Sequence, residues 1–119
     1  MQQIEYLKYD ENIDHLTIFK ANEKIISSID AGYAILSLNK KKEIVGVEFM
    51  GVHKNFGLSV DTLKNIAGCK VRINYSPSKK MIIISVFLNV KDESFPLIYT
   101  SNIRLGDTPY NEVLFTATV

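Results

Sequence analysis

The sequence predicts an α+β domain, a mostly antiparallel β-meander sheet with one short helix near the middle. Three observations carry that prediction. Apolar and polar residues alternate with period two along most of the chain. Turn-forming residues interrupt the alternation at short intervals. One segment, 59–67, switches to helical spacing.

The elements follow in order. Ile4, Tyr6 and Tyr9 begin a first strand, stopped by Asp10-Glu11-Asn12. His15–Phe19 is a second strand, with Leu16 and Ile18 on one face. A turn at Ala21-Asn22-Glu23 leads to a third strand, Ile25–Ile29, and Asp30-Ala31-Gly32 turns the chain again. Tyr33–Leu38 and Ile44–Met50 flank a polar turn, Asn39-Lys40-Lys41-Lys42. Strands joined by such local turns pair antiparallel. Val60, Leu63 and Ile66 or Ala67 then recur at helical spacing. Ser59 serves as N-cap, Asp61 sits in the first turn, and Gly68 stands just past the end. A helix this short must pack on the sheet to be stable.

In the second half, Val71, Ile73 and Tyr75 alternate with Lys70, Arg72 and Asn74, so that strand has one buried and one wet face. Ser76–Lys80 is a turn. Met81–Leu88 is apolar on both faces apart from Ser85, which predicts a central strand covered on both sides. Leu97–Leu105 and Glu112–Thr118 complete the sheet. Asn89–Ser94 and Gly106–Asn111 connect them, the latter marked as a turn by Asp107-Thr108-Pro109. The chain is read as one domain, 1–119, with strands from 68 onward added to a unit spanning 1–67. Leu7-Lys8-Tyr9 with Leu16-Thr17-Ile18 can be laid on Ile73-Asn74-Tyr75 with Ile82-Ile83-Ile84. Each is a strand ending in Tyr, a polar connection and a second strand, which is the pattern of a degenerate duplicated hairpin.

Composition bounds the function. The chain has 119 residues, and 46% of them are hydrophobic, enough for a real core without disulfide or metal staples. Net charge is +1, so no general attraction to nucleic acid or anionic lipid is built in. A single cysteine, Cys69, cannot form an intrachain disulfide, and its apolar setting reads as a buried structural thiol. No basic region followed by an apolar core opens the sequence, and no apolar run reaches membrane-spanning length. The expectation is a cytoplasmic protein without a membrane segment.

The first half resembles the domain of unknown function 2283 family. The matching residues are Tyr9-Asp10, Asp14-His15-Leu16-Thr17-Ile18, Gly32 with Ala34–Leu36, and Glu43-Ile44-Val45-Gly46-Val47-Glu48-Phe49. Thr17 departs from the pattern, standing where the family usually has an aromatic residue, and the segment after about Gly68 has no counterpart in short members. The resemblance implies a β-meander with one helix and no known activity. Some relatives lie beside small toxin-like genes, which implies a protein partner.

Five constellations are candidates for function, each weighed against a plainer alternative, which for the last is an edge covered inside the monomer. Asp10, Asp14 and His15, with Glu11, combine hard oxygen donors and an imidazole, a donor set for a divalent metal. The preferred reading is a hairpin turn, because the spacing matches no EF-hand or paired-histidine motif. His15 and His53 are the two histidines, candidates for a general base. With no nucleophile elbow, phosphate loop or HExxH, catalysis is not favoured and no cofactor is expected. Lys40, Lys41, Lys42, Lys79 and Lys80 sit in two turns. With Lys54, Arg72, Tyr33 and Tyr75 they would form a surface for single-stranded nucleic acid, while solvated turns are the simpler explanation. In the loop 51–58, Phe56 and Leu58 read as a staple under the helix. Last, 97–103 and 112–119 carry few charges and would leave a strand edge open to a partner through Leu97, Tyr99, Ile103 and Phe115. The leading function is therefore a non-enzymatic protein-interaction module, antitoxin-like or homodimeric. A nucleic-acid-binding protein is the alternative and a small metal-dependent hydrolase the third reading.

Overall fold

A computed structural model describes residues 6–20 and 22–106 in full and residues 110–118 by their backbone. Ile4, Ala21 and the Asp107-Thr108-Pro109 turn lie outside the described residues, as does the side chain of Phe115. The strands are antiparallel throughout: β1 (Tyr6–Asp10), β2 (His15–Phe19), β3 (Ser27–Asp30), β4 (Ala34–Leu38), β5 (Ile44–Met50), β6 (Gly68–Ser76), β7 (Met81–Val90), β8 (Glu93–Asn102) and β9 (Tyr110–Thr118). Two short helices, α1 (Val52–Phe56) and α2 (Val60–Lys64), separate β5 from β6.

The strands form two sheets, ordered β1-β2-β5-β4-β3 and β8-β7-β6-β9. The second half therefore builds its own sheet instead of extending the first. In each sheet three hairpin-linked strands are joined by one that lies beside the far member of the set, which is Greek-key order. β3 is mostly exposed and suits an edge, whereas β2 and β5 bury Leu16, Ile18, Val47 and Phe49 and suit the middle. The two sheets share one core. Leu7, Leu36 and Phe49 of the first sheet belong to the same buried cluster as Val71, Ile84, Val86 and Leu97 of the second, with Val52 and Leu63 from the helices. Cys69 is buried within it.

The hairpin similarity read from the sequence reappears as register. Tyr9 pairs with Leu16 and Leu7 with Ile18, and in the second sheet Tyr75 pairs with Ile82 and Ile73 with Ile84. Ser59 caps α2 as expected, its hydroxyl accepting from Thr62 N–H at 3.1 Å. The helix is shorter than expected, however. Ala67 N–H already donates to Asn89 O and Gly68 pairs with Asn89, so Gly68 opens β6 instead of terminating the helix.

The connection expected over Asn89–Ser94 contracts to Lys91-Asp92. Both have positive φ, 47° and 66°, the form a two-residue hairpin turn requires. That lengthens β7 and β8 to ten residues each. The second difference concerns β7. It is central within its sheet, but only one of its faces is covered. Ile82, Ile84, Val86 and Leu88 are buried, while Ile83 is 37% exposed and Ser85 and Phe87 are half-buried. Alternate residues of a strand point to opposite faces, and the shared core occupies only one of them.

Candidate functional site

The two aspartates of the Asp10–His15 turn face different partners. Asp10 Oδ1 accepts from Asn12 N–H at 3.0 Å, closing its own turn. Asp14, at φ 55°, turns its carboxylate toward α1. One oxygen accepts from the Tyr9 hydroxyl at 2.7 Å and His53 N–H at 2.9 Å, and the other from Lys54 N–H at 3.1 Å. Asp14 O also accepts from Val52 N–H. The helix's own N-cap, Gly51, makes no side-chain cap bond, so Asp14 caps it from another turn.

Burial pushes the Asp14 carboxyl up. The Tyr9 hydroxyl, the two backbone N–H groups and the nearby His53 outweigh that push and hold it below the ordinary aspartate value. Burial, then the bond to Asp14, pushes the Tyr9 hydroxyl up to about 12. Among the described residues no group of three or more His, Cys, Asp or Glu side chains gathers as a metal site.

The histidines go separate ways. His15 lies on the outer face of β2, with Nε2 3.8 Å from Glu48 Oε2, beyond hydrogen-bond reach, and that nitrogen is buried without a hydrogen-bond partner. His53 Nδ1 meets Leu58 O at 2.6 Å. Phe56 and Leu58 pack on the core. Phe56 is edge-on to both Phe49 and Tyr99, at 5.8 and 5.7 Å between ring centres.

The lysine turns belong to different sheets, one joining β4 to β5 and the other β6 to β7. Asn39 organises the first. Its Oδ1 accepts from Lys41 N–H and Glu43 N–H, and its Nδ2 donates to Glu23 and Glu43 carboxylates. Lys40 and Lys41 share their hollow with Glu23 and Glu43, so acids sit beside the cations, and neither Lys79 nor Lys80 lines it. Tyr75 offers no stacking surface: it is 4% exposed, and its hydroxyl accepts from Leu105 N–H and donates to Gly106 O.

The strand-edge expectation needs correction residue by residue. β8 is an edge strand, but Leu97 is buried in the core. Tyr99 is a latch between sheets, its hydroxyl donating to Ala31 O at 2.6 Å and accepting from Tyr33 N–H at 3.1 Å. Gly32 lies against that hydroxyl at φ 86°, where a Cβ would collide with it. Ile103 packs on the core. Phe115 pairs with Val71, and nothing further is described of it. Pro96, in mid-strand, lacks the N–H that pairing along the open edge would use.

The outer face of the second sheet exposes apolar side chains, a feature that sequence reading missed. Ile98 is 58% exposed and faces outward with Pro96 and Thr100. Across the ladder, Ile98 pairs with Ser85, Pro96 with Phe87, and Thr100 with Ile83. On β6, Lys70 pairs with Phe87 and Arg72 with Ser85. The face is thus graded, from cations on β6 to aliphatic groups on β8. A shallow hollow of about 370 Å³ opens there, lined by Lys70, Arg72, Phe87, Asn89 and Ser94.

No family model matches the chain, and no solved structure matches it. Over 85 residues it is 26% identical to a Methanosarcina mazei protein described as "Putative hypoxanthine phosphoribosyltransferase". The match covers 71% of this chain and 69% of that one. The likeness does not assign a family. No helix among the described residues is long and apolar enough to cross a membrane.

Proposed function

We propose that this chain is a non-enzymatic, cytoplasmic protein-interaction module that docks a partner on the outer face of β7 and β8. One observation carries the reading. Met81, Ile83 and Phe87 give β7 an apolar second face, and Ile83 and Ile98 stand exposed there because the chain's own core covers only the opposite side. Apolar residues grouped on an open sheet face mark interaction sites more often than scattered ones do. The Asp14 carboxylate supports the same reading, since it is occupied by internal donors.

Ile83→Ser with Ile98→Ser tests it. The variant should melt within a few degrees of the parent, because both side chains are outward, and should lose a stoichiometric partner, or its second copy, in native mass spectrometry of material from the source organism. Partner retention by the folded variant would count against the reading.

The Methanosarcina mazei likeness favours a second reading, phosphoribosyl transfer to hypoxanthine. Such a reaction needs cations for phosphate groups, and Lys70 and Arg72 line one hollow together. Incubation with hypoxanthine and a phosphoribosyl donor should yield no nucleotide. Nucleotide formation that disappears in Lys70→Ala/Arg72→Ala would establish the enzyme instead.

A further inference from the structure

The edge of β8 is a surface distinct from the face beside it. We propose that a second copy of this chain pairs with that edge, β8 antiparallel to β8, about a two-fold axis at Thr100. The pairing goes beyond the docking-face reading, because it uses backbone groups and leaves the Ile83 and Ile98 side chains uncovered.

The ladder shows which backbone groups face the open side. Among the described residues β8 ends its sheet, with β7 as its neighbour. Ile103 N–H donates to Lys80 O, one step past the Met81↔Asn102 pair. Antiparallel pairs alternate between exchanging both bonds and exchanging none. Ser101, Tyr99 and Leu97 therefore bond to β7, while Asn102, Thr100 and Ile98 turn their N–H and C=O groups to the open side. No hydrogen bond to another described residue reaches them there. All three are exposed. Tyr99, which latches the β3–β4 turn, does so from the opposite face of the strand.

Natural sheet edges are blunted by charge, proline or shortness. This one is not. From Ser94 to Ile103 the chain carries no charged residue, and β8 is ten residues long. Pro96 blunts the first half, since it holds an outward position without an N–H, but nothing of the kind follows it. β3, an edge of the first sheet, is four residues long and ends in Asp30, so shortness and charge already protect it.

A second copy fits the edge in length and in charge. With the axis at Thr100, Thr100 meets its own counterpart and Ile98 meets Asn102 of the second copy. Each pair exchanges two backbone bonds, and threonines directly opposite are a favourable cross-strand pair. The paired residues are uncharged, so the two-fold sets no like charges together. The paired span also stops short of Pro96 on both copies. A register slipped toward the start of β8 sets Pro96 opposite Asn102 and leaves the Asn102 carbonyl without a donor. One slipped the other way leaves Ile98 unpaired. Self-pairing closes the edge in every copy and ends there, as a two-fold dimer does. A foreign strand would leave it open whenever that partner was absent. The dimer also joins the two outer faces, with Ile83 and Ile98 of both copies around the axis, because Ile83 stands beside Thr100.

Sedimentation equilibrium of the purified full chain should give the mass of two chains at high micromolar concentration and of one chain on dilution. Thr100→Pro removes the central outward N–H and spares every bond to β7, at a position of the same kind as Pro96. It should stay folded by circular dichroism and melting and weaken dimerisation by roughly tenfold or more. Thr100→Lys keeps the backbone and sets like charges face to face at the axis. It should weaken the dimer too, more at low salt than at high. A short bis-maleimide should link Thr100→Cys copies to each other, since Cys69 is buried, and should not link Ser28→Cys copies on the β3 edge. A one-chain mass at every concentration would overturn the edge pairing and leave the docking face, which is tested by partner loss, standing. A dimer kept by both Thr100 variants and lost in Ile83→Ser/Ile98→Ser would overturn it by moving the second copy onto the face. Linking at Ser28 but not at Thr100 would overturn it in favour of β3. A dimer lost in the Thr100 variants, with every other partner kept by Ile83→Ser/Ile98→Ser, would support the edge pairing and overturn the docking face.

Discussion

Asp14 joins two distant turns through one carboxylate, so its removal has a cost that can be worked out from the bonds. In Asp14→Ala, the N–H groups of His53 and Lys54 lose their cap, a loss of ~1 kcal/mol. The Tyr9 hydroxyl loses its acceptor in a half-buried setting, about 1 kcal/mol more. Alanine must also hold φ 55°, which costs roughly 1 kcal/mol beyond aspartate. The sum is about 3 kcal/mol, a large share of the stability of a small domain. Asn tolerates the same backbone and keeps one acceptor oxygen, so Asp14→Asn should lose only ~1 kcal/mol.

The linkage has a definite sign. The folded-state value of Asp14 is depressed, so between the folded and unfolded values the unfolded chain binds more protons. The contribution is then fully present above the unfolded aspartate value, about 4, and fades as pH falls through the lower folded value. Urea denaturation of wild type, Asp14→Ala and Asp14→Asn at neutral pH and at descending acid pH checks both parts. An Asp14→Ala loss below about 1 kcal/mol, or a wild-type advantage over Asp14→Asn that does not shrink in acid, would refute the reasoning.

Two further outcomes follow from the same kind of contact. Tyr9 is raised to about 12, so the protonated phenol is favoured in the fold. Its contribution should be intact below the unfolded tyrosine value of about 10 and fall away as pH rises toward the folded value, a slope that Tyr9→Phe removes. Tyr99→Phe leaves Ala31 O and Tyr33 N–H without their shared hydroxyl. It should cost about 1–2 kcal/mol in urea denaturation and speed amide exchange in the β3–β4 turn more than in the β6–β7 hairpin.

Much of the fold was legible because strands announce themselves by alternation. Lys70–Tyr75 reads directly as a half-wet strand and is one. Ser59 reads as a cap because its partner lies only three residues away. What stayed hidden depended on distant partners. α1 looks like a loop between Gly51 and Gly57, and the carboxylate that caps it lies 39 residues earlier, in a turn whose acids suggested a metal.

Tyr99 looks like any outward tyrosine on an uncharged edge, until the β3–β4 turn supplies its partners 66 and 68 residues away. The doubly apolar pattern of β7 predicts a strand covered on both sides, and the structure covers only one. Alternation alone cannot say whether the second cover belongs to the same chain. The split into two sheets decides that, and it leaves Ile83, Phe87 and Ile98 facing outward.

The most direct measurement places a photocrosslinking amino acid at position 98 and, as a control, at position 35 on the outer face of the first sheet, in the source organism. Position 98 should trap one discrete protein partner, or a second copy of this chain, and position 35 should trap none. Equal trapping at both positions, or none at 98, would contradict the claim that the open face of the second sheet is where this protein binds.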